Sequence, residues 1–162
     1  QSGLGPILAL DPQRERALNE TLSRLVADAR GLEAASALLS SEHLSGIADQ
    51  PGEKLTLQVP GQSAAARQLR SQVESALRTE LGESRSELVL HWGKAWLEEQ
   101  FERSAASTYS VVRHPDATYG IRIETGSSGM SVGGSDAFIN YIPHHLRPWF
   151  ESLQNPSATS QP

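Results

Sequence analysis

The sequence predicts an α+β fold: a long N-terminal helix followed by a small mixed sheet with helices packed on one side. Three observations carry this expectation. Apolar residues recur at helical spacing from Leu18 to Leu39, short alternating stretches follow from residue 54 onward, and Pro/Gly pairs punctuate the chain between them. The 162 residues suffice for one ordinary domain with a helical extension.

The elements follow in order. Asp11-Pro12 places an N-cap residue before a proline at the first helical position, where the missing N–H costs nothing. From there Leu18, Leu22, Leu25, Ala29, Leu32, Ser36 and Leu39 are spaced alternately by four and three, a heptad seam with one polar lapse. Such a seam either lies on its own domain or forms the end of a coiled coil seeking a partner. The helix is expected to fray out at Ser45 to Gln50, where Pro51-Gly52 turns the chain. Lys54 to Val59 alternates as a half-buried strand, and a second helix opens at Gln62 or Ser63 and closes at Gly82.

Glu87 to Trp92 reads as a further strand, and Lys94 to Ser104 as a third helix with Trp96, Leu97 and Phe101 inward. Tyr109 to His114 and Tyr119 to Thr125 pair across Pro115-Asp116. Gly126 to Gly129 is a turn and Met130 to Val132 a short strand. A last helix capped by Ser135 or Asp136 carries Phe138, Ile139, Ile142, Leu146, Trp149 and Phe150, with a kink at Pro143. The domain plan is a flexible leader over 1–12, a helical segment over 13–50, an α+β domain over 53–153 and a disordered tail over 154–162.

Composition excludes several function classes. Fourteen Lys and Arg against nineteen Asp and Glu give a net charge of −5, and the basic residues are scattered, unlike the concentrated basic face that nucleic acid requires. The absence of cysteine removes disulfides and thiolate chemistry and fits a reducing, cytoplasmic compartment, peripheral to a membrane complex; an extracytoplasmic one is the alternative. No apolar run is long enough for a membrane span.

Candidate chemistry is sparse. The Gly126 to Gly134 stretch lacks the lysine of a phosphate loop and sits between two strands, so its glycines read as turn formers. His144 and His145 are adjacent rather than one helical turn apart, a poor zinc pair even with Asp136 or Glu151 as third ligand. The serines form no nucleophile elbow, and Glu98, Glu99 and Glu102 lie on the outward side of their helix. No catalytic, metal or cofactor-binding residue is assigned, and an enzyme is not expected.

The terminal stretch carries a family resemblance. Gly120-Ile121-Arg122-Ile123, a turn, a short strand, Ser135-Asp136-Ala137-Phe138-Ile139, then Leu146-Arg147-Pro148 and Leu153 is similar to the C-terminal domain of the E-type peripheral-stalk protein of V-type and A-type rotary ATPases. The resemblance covers about the last third of the sequence. It implies a small α+β unit after a stalk helix, paired with another stalk protein in a stator. The expected function is a non-enzymatic assembly or scaffold protein, stator-like within a rotary or secretion-type complex. Leu18, Leu22, Leu25, Leu32 and Leu39 of the seam, with Leu146, Arg147, Trp149 and Phe150 of the last helix, are expected to bind protein partners in a homo- or hetero-dimer. The alternative is a ligand-binding sensor domain of a larger, membrane-bound receptor.

Overall fold

Asp11 starts the first helix as its place before Pro12 requires. The computed structural model describes residues 10–61, 64–101, 105–134 and 136–154. In it, the Asp11 carboxylate accepts hydrogen bonds from the backbone N–H groups of Gln13 and Arg14, both at 3.0 Å, satisfying two donors that a helix start leaves open. Helix α1 spans Pro12–Ser36. It stops short of the expected end at Ser45 to Gln50 because its last turn tightens. Ser36 Oγ donates back to Glu33 O at 2.9 Å, and Ala37 N closes on Ala34 O at 3.4 Å. Leu38–Ser40 then forms strand β1. The 13–50 helical segment is therefore corrected: Leu39, counted in the seam, is a strand residue.

The chain divides into two units, each made of two separated stretches: 1–32 with 62–104, and 33–61 with 105–162. This differs from the expected partition at residues 50 to 53.

The first unit is helical. It holds most of α1, then α2 (Ala64–Leu81), α3 (Glu83–Trp92) and α4 (Lys94–Phe101). Gly82 ends α2 with φ 75°, a backbone that favours glycine, and its N–H bonds Arg78 O at 2.9 Å at the expected close of the helix. Gln62 and Ser63, proposed to open α2, lie outside the described residues. Glu87 to Trp92, expected as a strand, belongs to α3. Its inward positions, Ser86, Val89 and Leu90, lie three and four residues apart, so burial follows the helical period and Leu88 turns outward. The core joins Leu18, Leu25 and Ala29 of α1, Val73, Leu77 and Leu81 of α2, and Leu97 and Phe101 of α4.

The second unit is an antiparallel meander, β1-β2-β3-β4-β5, with β2 Glu53–Val59, β3 Ser107–Arg113, β4 Tyr119–Thr125 and β5 Ser128–Gly133. The α+β class holds, and the sheet is antiparallel throughout rather than mixed. Alternation sorts its faces. Leu57, Tyr109 and Ile123 are in register on one side, where Leu57, Val59, Tyr109, Val111 and Ile121 meet Phe138, Ile142, Leu146, Phe150 and Leu153. Apart from Ile142, in the bend between the first two, these last residues come from two 3-10 segments, Asp136–Tyr141 and His144–Phe150, and the short helix α5, Glu151–Gln154. They replace the single kinked helix expected there, because Pro143 and Pro148 each remove a helical donor. Tyr119 stacks on Phe138 with centroids 4.4 Å apart and donates its hydroxyl to Leu153 O at 3.1 Å. The turn before β2 requires glycine, since Gly52 has φ 134° and a Cβ there would strike the Arg113 carbonyl. Ser135, named as a cap, and most of the expected 1–12 leader and 154–162 tail lie outside the described residues.

Candidate functional site in the helical unit

In the helical unit the faces of α1, α2 and α4 do not close completely. They leave a partly open cavity of about 260 Å³. Helix α1 supplies Leu18 and Leu22, with Leu10 just before the helix. Val73 and Leu77 come from α2, and Val89, Gly93, Trp96 and Leu97 from the α3–α4 stretch. Gly93 joins those two helices, donating its N–H to Val89 O at 2.8 Å and accepting from Leu97 N at 2.9 Å.

Among the described residues two polar side chains reach this lining, Glu15 and Asn19, one helical turn apart on α1 and so on one face. Glu15 is half-buried and is the one ionisable residue in the lining among the described residues. A carboxylate at the edge of a mostly apolar cavity favours a group that donates hydrogen bonds or carries positive charge.

Trp96 stands where the cavity meets a shallower groove between α1 and α4, lined by Ser23, Val26 and Arg30 on one side and Gln100 on the other. Its indole meets Phe101 edge-on, with centroids 6.1 Å apart and planes at 74°. Trp96 is 42 % exposed, against the inward place expected for it. On the outer face of α3, Leu88 is 55 % and Trp92 81 % exposed.

The residues expected to bind partners fall elsewhere. Leu18 and Leu25 are buried in the helical core and Leu22 packs against it, so these three seam positions are spent inside their own unit, a correction to their expected place on a partner face. Leu146 and Phe150 are wholly buried in the sheet unit's core, with Trp149 packed on it. Arg147 is held inward, its Nε donating to Ile142 O at 3.2 Å. Leu32 and Leu39 alone of that set are exposed.

The histidines are dispersed. His145 Nε2 lies 3.2 Å from Glu33 Oε2, His114 Nδ1 lies 3.1 Å from Pro51 O, and His91 and His144 are exposed. Among the described residues no three metal-ligating side chains converge. One polar cluster escaped sequence reasoning. His43 Nδ1 lies 2.8 Å from Thr56 Oγ1, which lies 2.6 Å from Ser110 Oγ, and Ser110 Oγ accepts from Leu44 N at 3.0 Å. Thr56 and Ser110 are 1 % and 0 % exposed, so neither hydroxyl can meet a substrate; the chain of bonds holds the 41–50 loop on the sheet. Its signal in the sequence is a hydroxyl at matching positions of two paired strands, Thr56 and Ser110, hidden while residues 41–50 read as a continuation of α1.

In comparison with known proteins, no family model, no curated protein and no solved structure matches the chain. Among the described residues no helix is long and apolar enough to cross a membrane.

Proposed function

We propose that this chain is a non-catalytic partner-binding module, and that its working surface is the outer face of α3 rather than the α1 seam. The exposure of Trp92, at 81 %, carries the reading. Large aromatic side chains are the residues most often found at the energetic centre of protein interfaces, and Leu88, one helical turn before Trp92, extends the same ridge. A straight ridge of two large side chains suits the groove of a second helix.

Charge specifies the occupant further. Helices α3 and α4 carry Glu83, Glu87, Glu98 and Glu99 against Arg85 and Lys94, on a chain of net charge −5. The partner is therefore an amphipathic helix with aliphatic anchors and basic flanks, since opposite potentials favour encounter and register. The assembly role expected from the sequence is kept in this reading; a stator-like pairing through the α1 seam would need Leu18 and Leu25 to leave their core.

Calorimetric titration with two helical peptides, one patterned with leucine and lysine and the other with leucine and glutamate, tests the reading. The lysine peptide is expected to bind saturably and the glutamate peptide not to. Trp92→Ala should weaken binding by about thirtyfold, the scale of an interface anchor. Binding that ignores Trp92→Ala, or a dimer of the chain that Trp92→Ala dissociates, would overturn it.

A further inference from the structure

The cavity beneath Trp96 raises a separate question, because Leu88 and Trp92 do not line it. We propose that it is a binding site for a small amphiphile with a linear apolar body and a cationic, hydrogen-bond-donating head such as an alkylamine. Volume sets the body. A dry apolar cavity of about 150 Å³ accepts benzene, so about 260 Å³ accepts a body roughly 1.7 times as large. The walls are themselves buried: Val73 is 0 %, Leu97 2 %, Leu77 4 % and Leu18 5 % exposed. The chain's described side chains therefore leave this space unfilled while packing tightly behind it.

The head group follows from the two polar side chains. The Glu15 carboxylate only accepts hydrogen bonds, and Asn19 beside it adds an amide. Glu15 is half-buried, and its side chain makes no ion pair or hydrogen bond among the described residues. A bound ammonium would give this carboxylate a counter-charge and a charge-assisted hydrogen bond at the mouth of the cavity. A fatty acid of the same length would bring a second carboxylate to Glu15 and be repelled. The lining thus distinguishes an amine from an acid by charge, while the aliphatic walls take either tail.

The experiment titrates the full chain with octylamine, octanol and octanoate, following tryptophan fluorescence and calorimetry. The expected result is saturable one-site binding in the order octylamine, octanol, octanoate. Glu15→Gln should weaken octylamine by about tenfold, to the level of octanol, and leave octanol unchanged. Leu77→Phe, checked for folding by circular dichroism, should abolish binding of both by filling the space. Trp92→Ala should leave all three affinities unchanged, so failure of this site and failure of the partner surface are told apart. The proposal is overturned if neither amine nor alcohol saturates, if octanoate binds as well as octylamine, or if Glu15→Gln changes nothing; should Leu77→Phe misfold, the Glu15→Gln arm still decides.

Discussion

The helical unit and the sheet unit use the same kinds of side chain in opposite ways. The sheet unit seals Leu57, Val111, Leu146 and Phe150 to zero exposure and ties down a covering loop through Thr56 and Ser110. In the helical unit an open cavity remains among its leucines, with two tryptophans outside. The proposed binding roles draw on that difference, since tight interiors give stability while binding needs surface left unsatisfied.

The contrast breaks most sharply at two aromatic residues. Phe150→Ala should cost about 3–5 kcal/mol, because a wholly buried ring leaves a cavity behind. Trp92→Ala should stay within about 0.5 kcal/mol. Urea unfolding of the two variants, followed by far-UV circular dichroism, reads both. Equal losses would mean that the indole of Trp92 supports the fold after all.

Ser110→Ala is the next largest. It deprives the Leu44 amide of its acceptor and Thr56 of a neighbour, and should destabilise the protein by about 1–3 kcal/mol. Hydrogen exchange should quicken at Leu44 and along the 41–50 loop before it does in β4. Uniform quickening would show that the buried hydroxyls serve the whole sheet instead of the loop.

The smallest effect belongs to the β3–β4 turn. Asp116 Oδ1 accepts from Thr118 Oγ1 at 2.7 Å and from Thr118 N at 3.0 Å, and these bonds, the hydroxyl's first, hold the Asp116 carboxyl below its ordinary pKa. A lowered folded-state value means that its contribution is present above the unfolded-state pKa. That contribution is lost as pH falls through the folded one. Thr118→Val should raise the pKa of Asp116 in a carboxyl NMR titration; an unmoved titration would assign the shift to other groups.

How much of this was legible depended on how local each signal was. The start of α1 at Asp11-Pro12, β2, the close of α2 at Gly82 and the β3–β4 hairpin were all readable. A cap, a proline or a strict alternation acts within a few residues of itself. The seam from Leu18 to Leu39 was also readable as a stripe, but not its destination: a heptad pattern states which side chains share a face, not what covers them. Glu87 to Trp92 misled because Leu88 and Leu90 alternate, although one is exposed and the other half-buried on a helix.

By itself the sequence determined the α+β class, the placement of most strands and turns, and the lack of thiol chemistry. The tertiary structure alone decided that α3 is a helix, that Leu18 and Leu25 face inward within their own unit, and that a cavity opens beside Glu15. The reason is that burial belongs to pairs of surfaces. One strip of chain carries its own period, but the space left between strips exists only once they meet.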